Sequence, residues 1–141
     1  MKLLGCVVAL SISVLLWVPL GAEAKAKLIV VNGPTVVAFF PPATDAKLSN
    51  DPDTNESLAD FQLYAKSARA KLNDAGIEFD EIYTSSFAVR CGEKTTTFRP
   101  KMAAVGYYFV APGRSPRVEY GVMTGADILR AAAEYFQVAS K

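Results

Sequence analysis

The chain has no histidine and only two cysteines, Cys6 and Cys91. Without an imidazole there is no Ser-His-Asp or Cys-His relay and no zinc site that needs histidine. All-thiolate metal centres need more sulfur than the chain carries. Charge of either sign is also scarce in excess: 15 Lys and Arg stand against 14 Asp and Glu, a net charge of +1. Nucleic acid and anionic membrane both demand a basic surplus on one face, so neither is expected as the main partner. The sequence also lacks an internal repeat, a low-complexity tract and a run of like charge.

One long apolar run is present, and it lies at the beginning. Lys2 precedes an apolar stretch from Leu3 to Leu20, followed by Ala22-Glu23-Ala24. Small-x-small after such a stretch is the pattern read by signal peptidase, and it predicts a signal peptide over 1–24 with cleavage before Lys25. A membrane anchor is the competing reading, but Ser11, Ser13 and Pro19 interrupt the run and no basic stop-transfer flank follows directly. Leu3-Leu4-Gly5-Cys6 has the outline of a lipoprotein box but stands before the apolar run, so lipidation is not expected. The expected product is an exported, periplasmic or secreted protein with one domain over 25–141. Such a length buries roughly 65% of its unfolded surface, enough for a real core. Removing Lys2 and Glu23 takes away one charge of each sign, so the balance is unchanged. Cys91 then remains as the single thiol. No disulfide can close within the mature chain, although an exported location would permit one.

Within the domain, Leu28 to Val31 reads as a short strand, Asn32-Gly33-Pro34 as a turn, and Thr35 to Phe40 as a buried β-branched and aromatic strand ended by Pro41-Pro42. Ala43 to Asn55 is polar and turn-rich, which predicts a loop. A helix is expected to begin near Asp53, because Asp53 and Glu56 have capping-box spacing and Leu58, Phe61, Ala65, Ala68 and Leu72 recur at helical intervals. Gly76 closes it. Ile77 to Tyr83 follows as a strand, and strand-helix-strand predicts a right-handed parallel crossover with the two strands adjacent. Phe87 to Arg90 and Thr95 to Phe98 flank Cys91-Gly92-Glu93-Lys94, either a small hairpin or an irregular excursion. Val105 to Ala111 and Arg117 to Val122, joined by a Pro-Gly turn, predict an antiparallel hairpin. Thr124 and Asp127 then open a helix with Ile128, Leu129, Ala132, Tyr135 and Phe136 on one face. Alternation sends Tyr107 and Tyr108 to opposite sides of their strand, so one is expected in the core. The other would face outward, as a recognition surface or, more commonly, in cross-strand packing.

This order, with Tyr107-Tyr108-Phe109-Val110-Ala111-Pro112-Gly113 running into a turn and Gly121-Val122-Met123-Thr124 leading to the closing helix, resembles the thioredoxin family. The resemblance implies an α/β fold, thioredoxin-like, with a mixed central sheet and flanking helices. It does not bring the family's chemistry with it. A dithiol after the first core strand needs two cysteines at a helix start, and the positions that correspond here are Thr44 and Lys47. The family's cis-proline before the hairpin strand corresponds to Val105 or Gly106. Phe39-Phe40-Pro41 is similar to the end of the first core strand in peroxiredoxins. Their Thr-x-x-Cys motif keeps Thr44 here but has Lys47 in place of the nucleophile.

The candidate sites follow. Cys91, with Arg90 beside it and Lys94 nearby, is the one candidate nucleophile, although no base is present to activate it. The alternative to a binding module is therefore a single-cysteine thiol enzyme or peroxidase-like protein acting through Cys91. Pro42, Thr44 and Lys47 lie in the loop after the first core strand, where related folds meet ligands, and are the candidate binding residues. Asp80-Glu81 reads as a solvated strand edge and not as an acid/base pair. Asp51-Pro-Asp53-Thr-Asn55 opens like a calcium loop but has Glu56 and Gln62 where Gly and a bidentate Glu are required. Asn55-Glu56-Ser57 is a glycosylation sequon for a cell that glycosylates its exports. No metal or cofactor is expected. The partner expected is another envelope or secreted protein, and the domain reads as a binding or scaffold module more than as an enzyme.

Overall fold

A computed structural model describes residues 26–42, 52–84, 86–101 and 104–137, with side chains of the first helix described from Ser57 onward. The elements are β1 (Lys27–Val31), β2 (Thr35–Phe40), α1 (Pro52–Asp74), β3 (Glu78–Tyr83), β4 (Phe87–Cys91), β5 (Lys94–Phe98), β6 (Gly106–Val110), β7 (Arg117–Tyr120) and α2 (Gly125–Phe136). Two mixed sheets result, with strand orders β3-β2-β6-β7 and β1-β4-β5.

The larger sheet grows from the crossover read in the sequence. β2 and β3 are parallel from Thr35↔Glu78 to Phe40↔Tyr83, and α1 connects them. β6 lies antiparallel on the other side of β2, and β7 returns beside β6 as the expected hairpin. α1 begins at Pro52, slightly earlier than expected, with proline at a first-turn position that needs no N–H partner. It ends as the glycine predicted. Gly76 has φ +75°, its N–H donates to Asn73 O (2.9 Å), and Ile77 N–H reaches back to Leu72 O (2.9 Å). This paired arrangement satisfies the last carbonyls, while Leu72 and Ile77 pack together in the core beneath it. α2 opens on Thr124, whose Oγ1 accepts from the Asp127 N–H (3.2 Å).

Both helices lie on one face of the larger sheet. Phe61, Ala65, Ala68 and Leu72 of α1 and Ile128, Ala131 and Ala132 of α2 meet Val36, Ala38, Phe40, Tyr107 and Phe109 there. The small side chains let the helices approach closely, and at Gly125 an added methyl would run into the Ser67 hydroxyl. The other face is covered by the smaller sheet. β1 pairs in parallel with β4 from Lys27↔Phe87 to Val31↔Cys91, and β5 folds back on β4. Cys91-Gly92-Glu93-Lys94 is therefore a hairpin turn, with Gly92 at φ +61° in the first central position, the left-handed position that a two-residue turn of this kind reserves for glycine.

Two-sided cover explains why every residue of β2 and β6 is buried. It also corrects the expectation for the tyrosine pair. Tyr107 does face the helices and Tyr108 the opposite side, but Tyr108 is enclosed by the smaller sheet and is 4% exposed. Thr35, the one buried polar residue in these strands, donates its hydroxyl to Gly33 O (3.0 Å).

Candidate functional site

The candidate residues fall at opposite ends of the larger sheet. β2 starts at Thr35, paired with Val110, and ends at Phe40, with Pro41 buried and Pro42 half-buried just beyond. Thr44 and Lys47 lie outside the described residues. Around this end, the Phe40 ring packs at a tilt against Phe61 (5.3 Å) and Tyr83 (6.5 Å). Tyr83 donates to Glu81 Oε1 and accepts from Gln62 Nε2 (3.1 Å), while Arg69 holds the other Glu81 oxygen (3.1 Å). Burial, reinforced by the bond to Glu81, raises the Tyr83 pKa above its ordinary value. Glu81 is thus committed to two partners, while Asp80 points to the other face of its strand.

Gly106 sits at the same end. It is paired with Phe39 on one side and Tyr120 on the other, and the two rings meet across it at 6.1 Å and 80°. A Cβ there would collide with the Glu119 carbonyl and lie 2.8 Å from Phe39 Cζ. The strand must therefore begin with glycine, and aromatic rings fill the space its missing side chain leaves. Lys101 Nζ lies over the Tyr120 ring at 5.2 Å, which adds a cation to this exposed aromatic edge.

The far end is different in kind. Between the two sheets, where β4 and β5 diverge from the turn after β6, there is a cavity of about 480 Å³. Val89, Val110 and Pro116 form apolar walls, Tyr108 lies among the lining residues, and Cys91, Lys94 and Arg114 carry its sulfur and its charge. No Asp or Glu contributes to the lining. Cys91 is a half-buried free thiol. Lys94, read in the sequence as near Cys91, is its partner in the β4–β5 register and also lines the cavity. Arg90 does not. It is exposed on the opposite side of β4 and faces Thr95. The second cation is Arg114, brought from the β6–β7 turn, and no local sequence signal connected it with Cys91.

Arg114 is held in place. It donates to the Tyr135 carbonyl and to Gln137 Oε1 (3.2 Å), and its guanidinium lies 5.9 Å from the Tyr135 ring. Tyr135 donates its hydroxyl to Ser115 O (2.9 Å), which fixes the turn to the end of α2. Burial raises the pKa of Tyr108, and negative charge at Cys91 raises it further. Burial likewise raises Tyr135, with Arg114 acting against it. Both phenols therefore keep their protons at neutral pH, that of Tyr135 in its bond to the Ser115 carbonyl, and neither is a base for the thiol. Among the described residues no three His, Cys, Asp or Glu side chains gather as a metal site, and no helix is long and apolar enough to cross a membrane.

Set against protein-family models, curated proteins and solved structures, the chain matches none. The α/β architecture with its mixed central sheet and the separation of the two ends are what bear on function.

Proposed function

We propose that this chain is an exported thioredoxin-like domain that works by binding another envelope or secreted protein and not by dithiol exchange. The observation that carries the reading is the pairing of a strand order, β3-β2-β6-β7 with α1 linking the parallel pair and α2 after the hairpin, with a first core strand that ends in Phe40-Pro41-Pro42. That order supports a thioredoxin-like core. The exit of β2, where such a core would hold its redox pair, has prolines followed by Thr44 and Lys47, and none of these side chains can exchange with a disulfide. At the end of the sheet where β2 stops, Tyr83 on one edge strand and Tyr120 under Lys101 on the other are partly exposed and suit recognition, since Tyr combines apolar area with a polar tip.

Two measurements test this. The purified protein should not accelerate dithiothreitol-driven reduction of insulin, and acceleration comparable with a dithiol catalyst would end the proposal. Crosslinking in an envelope or culture-fluid extract should recover a defined partner with the native protein and lose it when Pro42, Thr44 and Lys47 are replaced together. Equal recovery by both would remove the loop from the reading. A second reading, thiol chemistry through Cys91, is favoured by the cavity that Cys91 lines together with Lys94 and Arg114. An ordinary thiol pKa in a graded-pH alkylation series, with no adduct from peroxide or oxidised glutathione, would exclude it.

A further inference from the structure

We propose that the cavity between the two sheets binds a small organic oxyanion, a carboxylate or phosphate carried on an apolar body, with Lys94 and Arg114 supplying the charge and the Tyr108 hydroxyl a donor. This site is separate from the Pro42 loop and does not depend on the partner proposed for it.

Three independent features of the cavity support the inference. The first is its size: about 480 Å³ falls within the ~300–1,000 Å³ range of small-molecule sites. The second is charge. Lys94 and Arg114 line the cavity, neither makes a salt bridge among the described residues, and no carboxylate lines the cavity to neutralise them. Arg114 spends its hydrogen bonds on a carbonyl and an amide, partners that orient the guanidinium while leaving its charge uncompensated. A cation fixed in this way loses little freedom on meeting an oxyanion.

The third feature is Tyr108. It is 4% exposed, its ring is packed by Phe98 (4.8 Å) and Phe87 (5.6 Å), and its hydroxyl has no hydrogen-bond partner among the described residues. No buried side-chain oxygen among the described residues lacks a partner, so the Tyr108 hydroxyl, which bonds to no described residue, is a water-accessible donor that a ligand atom in the cavity can take over. The apolar walls of Val89, Val110 and Pro116 favour an anion with a hydrocarbon body over an inorganic ion.

Cys91 serves as the built-in reporter. Its alkylation by iodoacetamide, read at the Cys91 peptide by mass spectrometry, is followed in the presence of benzoate, phenyl phosphate, the neutral isostere benzamide, or sodium chloride at matched ionic strength. Benzoate or phenyl phosphate should slow alkylation saturably, at least fivefold, while benzamide and chloride leave it unchanged. Protection by benzoate alone assigns a carboxylate, and by phenyl phosphate alone a phosphate. Lys94→Gln should raise the half-protecting concentration about tenfold, and Tyr108→Phe, which keeps the packed ring, should raise it severalfold. Lys94 is exposed, so its replacement leaves the fold intact even where Arg114→Gln loosens the end of α2. Absence of protection by either anion, or protection unchanged in Lys94→Gln, overturns the proposal.

Discussion

The two faces of the larger sheet are sealed by different materials, and the difference explains where the molecule has room. On the helical face, alanines and the Gly125 contact let α1 and α2 settle closely, and the side chains of β2 and β6 find a partner along their whole length. On the other face a twisted three-stranded sheet meets a twisted four-stranded one. An aromatic cluster of Phe39, Phe87, Phe98, Tyr108 and Tyr120 fills one end, and at the other end the sheets diverge over Cys91. Helices adjust to a sheet by sliding, whereas a sheet laid on a sheet closes well at one corner and leaves space at another. The space is where a ligand can enter.

The largest expected effects test whether the two covers are equally integral. Phe61→Ala on the helical face and Phe39→Ala on the other should each cost about 3–5 kcal/mol in urea unfolding, because both rings are fully buried. A cost below about 1 kcal/mol for Phe39→Ala would mean that the smaller sheet is a loosely laid cover and not part of the core. Next comes Gly106→Ala, where an added methyl meets a backbone carbonyl and a ring on the aromatic side. About 3 kcal/mol should be lost, and unchanged thermal unfolding would show that the strand start can move apart.

A smaller effect separates the faces by pH. Burial pushes the Tyr107 pKa up to about 12 from an ordinary 10.0, with the Met123 N–H that donates to its oxygen (3.5 Å) acting the other way. The raised value means that the unfolded chain gives up this proton first. The stability Tyr107 contributes is therefore complete below pH 10 and is lost as pH climbs from 10 to 12, by up to about 2.7 kcal/mol. Tyr107→Phe should flatten this alkaline decline, and Tyr108→Phe, beside the open end of the other face, should flatten it less. Equal flattening would erase the distinction between a sealed and an open side. The smallest effect is Thr124→Ala, which removes the cap of α2 and should cost about 1 kcal/mol while leaving the Cys91 alkylation rate as it was. A changed rate would show that the helical layer governs the cavity.

What could be read from the sequence is what local spacing encodes. The apolar stripe from Phe61 to Leu72, its glycine stop, the Thr124 cap and the continuous apolar runs of β2 and β6 all follow from the residues themselves. The parallel β2–β3 pair follows from one helix between two strands. The smaller sheet was hidden because its central pairing joins β1 to β4 across an intervening strand, helix and strand, and no local pattern carries that register. Without it, Tyr108 could not be known to be covered, and the cavity could not be known to exist. Half of the site was nevertheless within reach: Gly92 indicates a two-residue turn, such a turn sets Cys91 opposite Lys94, and alternation then turns Arg90 away. Arg114 was out of reach, since only the docking of the β6–β7 turn on α2 brings it near.

The partnership of Lys27 with Phe87 has a consequence for biogenesis. A chain made from its N-terminus delivers β1 well before β4, so Ile29 and Val31 wait for their pairing strand until β2, α1 and β3 have been made. Closing so long a loop is entropically slow to be rewarded. Trimming into β1 would leave β4 without the parallel neighbour that pairs with it from Phe87 to Cys91.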